Sequence, residues 1–397
     1  MELVSDDRRV QRAVSQLYDT FETAGAFVHD HLRMRVDGTR VRMEAPGIAR
    51  NERVLALPAD CVVPLEANTL RIDDDRLAVA ELRPEVSDTQ RVCLESLVAL
   101  YNATGQVARH KRDSPWHALA ARPDLLGELA GARAGTPWID SLSDSQADGA
   151  APDRLRDSFL IARRRQVGHT ETGDPRFGLL PLIDFFRHDP AAAPLYTGRR
   201  VRATGHQVAV SAQPVREASA ETFLRYMPMD ALDSYLTYGF VDDQAALVRS
   251  VPVSVRAGGF ALHVNARIGA RAGRIPPRLQ DLAAFVPALT DTEENTLNLS
   301  HLFLPGSANP LAVRRVLNHA FRYLDPSLGL SRLKTLVEQA EEQIVAANTA
   351  FYDELAARLA RGPAGADDAP ARTLETVRRL VDHQQAQLAT YSRAHAA

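Results

Sequence analysis

The sequence is poor in lysine and carries no excess of positive charge. Lys111 and Lys334 are the only lysines among 47 basic residues, and 50 acidic residues leave a formal net charge of −3. A chain with this balance has no overall field that attracts a polyanion, so we expect no nucleic-acid partner. The preference for arginine is typical of a GC-rich genome, and we therefore expect a bacterial origin.

Long apolar runs and paired cysteines are also missing. No stretch approaches the roughly 18 apolar residues of a membrane-spanning helix, and the N-terminus opens with charged residues, so we expect no membrane partner. Cys61 and Cys93 stand in apolar surroundings and form no CxxC pair, which indicates buried thiols. These features together predict a soluble, cytoplasmic protein.

Several motifs of common enzymes are absent as well. No G-x-G-x-x-G follows a predicted strand, and neither a Walker sequence nor a nucleophile elbow occurs. The common α/β nucleotide folds and Ser-His-Asp catalysis are therefore not favoured. His29 and His31 lie close together, but the sequence offers no third ligand beside them, so we expect no metal site.

The patterns that are present predict an α+β protein. Apolar residues at helical spacing indicate a leading helix within residues 1–30, which ends at Gly25. Short apolar runs broken by turn residues predict small β-sheets in 31–87 and again in 176–265. Helical periodicity returns between them, so residues 88–175 are predicted to be a helical insertion.

The C-terminal part is predicted to be a separate, all-helical domain covering residues 266–397. Two long apolar stripes at helical spacing support this prediction, one from Leu333 to Leu359 and another from Leu374 to Leu388. The stretch from Gly362 to Pro370 is rich in Gly, Ala, Pro and Asp, which is typical of a connecting loop. The first stripe fits the core of this domain better than a partner surface.

Two segments in the middle of the chain carry distinctive residues. In the first, Leu180 to His188, an apolar-Pro-x-x-Asp pattern is formed by Pro181 and Asp184 and is followed by Arg187 and His188. In the second, Phe223-Leu224-Arg225-Tyr226 is followed twelve residues later by Tyr238-Gly239-Phe240-Val241. An isolated tyrosine is usually part of the core, but the residue types and the spacing agree here with one another.

These segments, which span Leu179 to Val241, resemble the catalytic half of SET-domain methyltransferases of the Rubisco large-subunit lysine methyltransferase class. The resemblance implies a SET-like fold with a helical insertion and a C-terminal helical domain for substrate binding. It also implies methyl transfer from S-adenosyl-L-methionine to an acceptor, a nitrogen of a protein or peptide. By the same resemblance, Tyr226 is the catalytic tyrosine, Tyr238 lines the same channel, and Asp184 lies near the entering substrate.

The resemblance further implies a cofactor site. Arg165 corresponds to the arginine that holds the cofactor carboxylate, since a guanidinium fork suits that geometry. The family's glycine-rich loop falls near Asp37 to Val41, before a segment from Gly47 to Pro58 that is similar to the family's early strand. The residues implied in cofactor binding are Gly38, Thr39, Arg40, Arg165, Arg187 and His188.

Three departures from the family pattern leave alternatives open. Val41 replaces the second loop glycine, Arg164 replaces a serine, and Arg187 replaces an asparagine. Added cations in the pocket would favour an acceptor with a carboxylate or a phosphate. A second possibility keeps the fold and the cofactor but has a small metabolite or a carrier-bound biosynthetic intermediate as the acceptor. A third possibility is a degenerate SET scaffold without methyl transfer, which serves for binding or for different chemistry. The sequence does not define the oligomeric state.

Overall fold

The computed structural model describes residues 1–147, 151–169, 175–197, 199–212, 220–267, 275–283, 285–306, 311–360 and 371–396. In chain order the strands are β1 (Glu2–Val4), β2 (Phe27–Val28), β3 (Arg33–Asp37), β4 (Arg40–Glu44), β5 (Arg53–Leu57), β6 (Val63–Pro64), β7 (Asn68–Asp73), β8 (Arg76–Leu82), β9 (Arg165–His169), β10 (Pro175–Leu179), β11 (Arg187–His188), β12 (Val208–Ser211), β13 (Phe223–Leu224), β14 (Leu247–Arg249), β15 (Val253–Ala257), β16 (Phe260–Val264), β17 (Leu289–Glu293), β18 (Thr296–Leu299) and β19 (Phe303–Pro305).

The helices connect and flank these strands. In chain order they are α1 (Arg8–Ala24), α2 (Asp88–Ala103), α3 (Gln106–Asp113), α4 (Pro115–Ala118), α5 (Pro123–Gly131), α6 (Pro137–Ala147), α7 (Ala151–Arg163), α8 (Arg199–Arg202), α9 (Ala231–Tyr238), α10 (Ala312–Leu324), α11 (Leu330–Ala360) and α12 (Ala371–Ala396). None of the helices in the described ranges is long and apolar enough to cross a lipid bilayer.

The chain divides into two compact units, each built from two separate segments. The first unit contains Met1–Arg112 and Ala151–Pro228, and the second contains Asp113–Ala150 and Met229–Ala397. The helical stretch predicted as one insertion is thus divided, since α2 and α7 belong to the first unit whereas α5 and α6 belong to the second. The domain boundaries predicted from the sequence remain a prediction.

The first unit contains small sheets around a shared apolar core. Its sheets have the strand orders β1-β3-β4, β12-β5-β2, β6-β10-β9, β7-β8 and β11-β13. The leading helix α1 begins at the N-cap Asp7 and ends at Gly25, whose φ of 74° is the left-handed conformation that glycine adopts without strain. Its apolar stripe, including Leu17 and Phe21, is fully buried against this core. The predicted helix and its end are therefore confirmed.

The second unit combines two small sheets with long helices. Its sheets have the orders β14-β19 and β15-β16-β18-β17. The two apolar stripes lie on α11 and α12, where Leu333, Ile344 and Leu388 are buried. The predicted connector between these helices lies outside the described residues. The helices of this region begin at Ala312, and β17 to β19 precede them within residues 266–397, where the sequence predicted helix only.

The fold class predicted from the sequence is confirmed in its general form. The protein is α+β, with small sheets, helices inserted between them and a helical C-terminal region. The sheets are short because the strands rarely exceed five residues before a turn or bulge interrupts them.

Candidate functional site

The segment predicted to carry the catalytic residues begins with an unusual backbone. After β10, the chain turns at Leu182, which has φ 62° and ψ −39°, and then enters the 3-10 turn Ile183–Phe185. A positive φ at a leucine is strained, and such conformations persist only where the surroundings enforce them. Leu182 is fully buried, so core packing holds the turn. This turn places the side chain of Asp184 inside the first unit.

Asp184 is the centre of a buried polar cluster. Its Oδ2 accepts hydrogen bonds from the hydroxyl of Tyr101 at 2.7 Å and from Nη1 of Arg163 at 3.2 Å. Its Oδ1 lies 3.4 Å from Nη2 of Arg165. The side chain of Asp184 has no exposed area, so it does not face a substrate in this structure. The helical spacing of apolar residues predicts only that Tyr101 lies on the apolar face of α2, so the sequence does not reveal its hydrogen bond to Asp184.

Arg165 connects the cluster to Tyr226. Its Nη1 donates to the carbonyl oxygens of Ala162 and Arg164, at 2.9 and 3.0 Å, where α7 ends. Its guanidinium carbon lies 4.0 Å from the centroid of the Tyr226 ring, a close cation–π contact. The side chain is nearly buried. The structure thus places Arg165, Asp184 and Tyr226 in contact, and Arg165 already has partners within the protein.

Tyr226 is half-buried and is held at both its ring and its backbone. Its hydroxyl donates to the carbonyl oxygen of Phe186 at 2.6 Å, and its backbone N–H donates to Nδ1 of His188 at 3.2 Å. The two rings lie 5.2 Å apart. Burial raises the pKa of the Tyr226 hydroxyl, against the opposing effect of the Arg165 charge. Tyr226 is therefore a neutral phenol at physiological pH.

His188 is placed beside Tyr226 by strand pairing. It lies on β11, which pairs in parallel with β13, so that His188 is opposite Leu224. Because its Nδ1 accepts the Tyr226 N–H, the neutral ring carries its proton on Nε2. The proximity of His188 to Tyr226 therefore has a simple cause, which is the register of two short strands.

The predicted cofactor loop is an exposed hairpin turn. Gly38 and Thr39 connect β3 to β4, in which Asp37 pairs with Arg40. Gly38 has a φ of 57° and no neighbouring atom within 4 Å of where a Cβ would lie, so a ligand has room to approach its backbone. Val41 is buried in the core, and its side chain therefore does not obstruct the turn.

The turn is connected to the polar cluster through Gln106. Its Nε2 lies 3.3 Å from the carbonyl oxygen of Thr39, and its Oε1 accepts a hydrogen bond from Nη2 of Arg163 at 3.1 Å. Arg163 in turn donates to Asp184. A continuous series of polar contacts thus links the exposed turn to Asp184 within the first unit.

The side chains of the two arginines that depart from the family pattern contact Glu221 and Phe177. The side chain of Arg187 is 54% exposed, and its Nη1 is 3.3 Å from the carboxylate of Glu221. The guanidinium of Arg164 lies 4.4 Å from the centroid of the Phe177 ring. Neither of these two contacts involves Tyr226.

Tyr238 belongs to the second unit. It is the last residue of α9 and is half-buried, and its ring stacks on Phe240 with centroids 5.8 Å apart. Gly239 caps the helix with a φ of 78°. An added Cβ at Gly239 would lie 2.6 Å from the carbonyl oxygen of Asp113, so glycine is required there for packing as well as for conformation.

The second unit contains a buried ionic network that the sequence did not reveal. Asp233 accepts hydrogen bonds from Arg133 Nε at 2.7 Å and from Arg249 Nη2 at 2.6 Å. Asp230 accepts from Arg133 Nη2 at 2.6 Å and from Gln384 Nε2 at 2.8 Å. Burial alone would raise the pKa of Asp230, but the two arginines outweigh it and lower that pKa.

Comparisons with known proteins give little beyond these observations. No family model matches the chain, and no curated protein matches it. Among solved structures, the chain is similar to the crystal structure of the SET domain of LSMT bound to lysine and AdoHcy, with 12% sequence identity and a TM-score of 0.41. The match covers 97% of this chain and 92% of that one. At this TM-score the likeness carries no argument about function, which must be inferred from the residues themselves.

Proposed function

We propose that the protein is a SET-type methyltransferase that uses S-adenosyl-L-methionine and methylates a nitrogen of a protein or peptide. One observation carries the proposal. Arg165, Asp184, His188 and Tyr226, which the sequence resemblance singled out from separate segments, lie in a continuous set of contacts. Residues taken at random from separate segments of the chain would not be expected to contact one another in this way.

The chemistry of Tyr226 supports this proposal. When bound, the cofactor supplies a methyl group on a positively charged sulfur. The Tyr226 hydroxyl donates to the Phe186 carbonyl oxygen at 2.6 Å, and this bond fixes the position of both oxygen atoms. Fixed oxygen dipoles stabilise the positive charge that a methyl group carries during an in-line transfer. Because its pKa is raised, Tyr226 fulfils this role as a neutral hydroxyl.

The residues present fit the cofactor at several points. Gly38 leaves open space beside its backbone, and His188 lies beside the tyrosine ring. The cluster of Tyr101, Arg163, Arg165 and Asp184 has two arginines for one carboxylate, so a second carboxylate would be electrostatically favourable there. Arg165 would hold the carboxylate of the cofactor while it keeps its contacts with the protein.

Calorimetry on the full chain tests the proposal. We expect S-adenosyl-L-methionine and S-adenosyl-L-homocysteine to bind, and the Tyr226→Phe variant to bind them with similar affinity but to lose most of the transfer rate. Tyr18→Phe, which removes a hydroxyl from α1, is the matched control. Absence of heat with either compound at millimolar concentration would contradict the methyltransferase proposal. Radiolabelled methyl transfer to peptides or to small amines would then separate a protein acceptor from a metabolite.

A second candidate function is a binding scaffold derived from the same fold. The observation that favours it is the engagement of Arg165, whose Nη1 and Nη2 face two carbonyl oxygens and Asp184. Under this second candidate, while these contacts are made, the guanidinium of Arg165 is not available to a cofactor carboxylate. The calorimetry described above decides between the two candidates, because the scaffold predicts no cofactor binding.

A further inference from the structure

The sequence resemblance places Asp184 near the substrate, but the side chain of Asp184 is buried. Its carboxylate has no exposed area and faces Tyr101, Arg163 and Arg165. A group with these surroundings cannot touch a ligand through its side chain unless the core opens. Its influence on the site must therefore be exerted through its neighbours.

Arg165 is the neighbour that reaches the site. The carbonyl oxygens at the end of α7 hold Nη1, and the Asp184 carboxylate attracts Nη2 from another direction. Two anchors acting on different nitrogens restrict a planar guanidinium more than either does alone. The guanidinium carbon is thereby kept 4.0 Å from the centroid of the Tyr226 ring.

Asp184 is itself held by residues of α2 and α7. The Tyr101 hydroxyl donates to Oδ2, and burial together with the nearby Asp184 charge raises the pKa of Tyr101 well above its usual range, so that the hydroxyl remains a donor. The Tyr101 ring packs edge-on against Phe159, with centroids 5.3 Å apart, and this contact fixes the direction of the hydroxyl. Helices of the predicted insertion thus determine where the carboxylate lies.

We propose that Asp184 is a positioning residue that fixes the Arg165 guanidinium against the Tyr226 ring, and that Tyr101 on α2 holds Asp184 for this purpose. The catalytic consequence rests on the proposed function, because Tyr226 must take part in methyl transfer. The positioning itself does not depend on that function. Through Arg163 and Gln106, the same carboxylate is connected to the turn at Thr39.

The test compares Tyr101→Phe, Asp184→Asn and the control Tyr18→Phe in the full chain. The first measurement is the exchange rate of the Arg165 Nη protons by NMR, with their resonances assigned from an Arg165→Lys variant. Loss of one hydrogen bond to a charged group corresponds to roughly a tenfold or greater change in an equilibrium constant. We expect exchange to be about tenfold faster in Tyr101→Phe, faster still in Asp184→Asn and unchanged in the control.

The second measurement applies if the wild type transfers methyl groups, and it compares kcat and KM for the acceptor among the variants. We expect kcat to fall about tenfold in Tyr101→Phe with an unchanged KM for the acceptor, because the acceptor touches neither side chain. A purely structural role would lower the amount of folded protein without changing kcat per folded molecule. If Asp184→Asn does not fold, Tyr101→Phe still decides the question.

The possible results separate the two proposals. Unchanged Arg165 exchange in both folded variants would overturn the positioning role. Faster exchange with unchanged kcat would overturn its catalytic importance. If the wild type binds no cofactor, the proposed function fails, whereas faster Arg165 exchange in the variants still supports the positioning of Arg165 by Asp184.

Discussion

Each unit of this protein contains a buried cluster of arginines and aspartates, but the two clusters are built differently. In the second unit, Arg133 and Arg249 face Asp230 and Asp233, and all four side chains are at most 2% exposed. In the first unit, Arg163 and Arg165 share the single carboxylate of Asp184. The first cluster also contacts the half-buried Tyr226 through Arg165.

This difference indicates different uses of the same residue types. The cluster of the second unit has as many arginines as aspartates and is buried. Such a cluster is suited to holding secondary structure elements together. A cluster with an additional cation beside a partly exposed aromatic ring can respond to an anionic ligand. A buried ion pair is by itself weak evidence for stability, so the contrast requires experiments.

The largest effect is expected from breaking the balanced cluster. In Asp233→Ala, Arg133 and Arg249 both lose a short hydrogen bond and remain buried, and α9 loses part of its N-terminal capping box. Removing one partner of a buried ion pair costs about 3 to 5 kcal/mol of unfolding free energy. Urea denaturation measures this loss. Asp243→Ala, which removes an exposed carboxylate, is the control, and an equal loss in both variants would contradict a stabilising network.

The next effect concerns the cluster of the first unit. If its additional positive charge receives the cofactor carboxylate, Arg165→Gln should weaken binding of S-adenosyl-L-homocysteine about a hundredfold, because a charge-assisted bidentate contact is lost. Arg12→Gln removes an exposed arginine from α1 and serves as the control. Calorimetry measures both. Equal affinities in wild type and Arg165→Gln would show that the cluster, like that of the second unit, is structural only.

A smaller effect is expected from pH in the second unit. Burial, assisted by the nearby Arg249 charge, lowers the pKa of His301 to about 4, so the folded protein keeps this histidine neutral. The unfolded chain takes up the proton near its ordinary pKa of about 6.5. The contribution of neutral His301 to the free energy of unfolding is therefore fully present above pH 6.5. It decreases as the pH falls from 6.5 to 4.

Because of this lowered pKa, we expect His301 to reduce the free energy of unfolding by roughly 2 kcal/mol between pH 7 and pH 5. Urea denaturation of the wild type and of His301→Asn at both values isolates the contribution, because asparagine does not titrate. A pH dependence that is the same in both proteins would show that other groups cause it.

The smallest effect is expected at Arg187. Its side chain is 54% exposed, and its ion pair with Glu221 is accessible to water and salt. Exposed pairs of this kind contribute about 0 to 1 kcal/mol, so Arg187→Asn should change the free energy of unfolding by less than about 1 kcal/mol. A larger loss in urea denaturation would show that Arg187 participates in a buried cluster after all.

Much of the fold was accessible from local patterns in the sequence. Leu17 and Phe21 repeat at helical spacing before Gly25, and the stripes from Leu333 onward repeat over many turns, so α1, α11 and α12 could be predicted. The strands β17 to β19 could not. In β17 four of the five residues are exposed, so no apolar alternation marks the strand, and its pairing with β18 is decided by tertiary contacts.

The candidate site was partly accessible for a different reason. The motif singled out Asp184, His188 and Tyr226, and the structure brings these residues together. The motif could not reveal that Tyr101 donates a hydrogen bond to Asp184. An apolar helix face predicts that the ring is buried, but it does not indicate where the hydroxyl points. The pairing of Arg133 with Asp233 joins residues 100 positions apart, which no local pattern encodes.

The hairpin at Gly38 has a consequence for how this turn could change during evolution or design. Val36 pairs with Val41 across the hairpin, and the side chain of Val41 lies in the core. Because successive residues of a strand face opposite sides, inserting or deleting one residue in the turn would bring Arg40 or Arg42 into the position of Val41. The residues of this turn can therefore be changed by substitution, whereas its length is fixed by the interior of the protein.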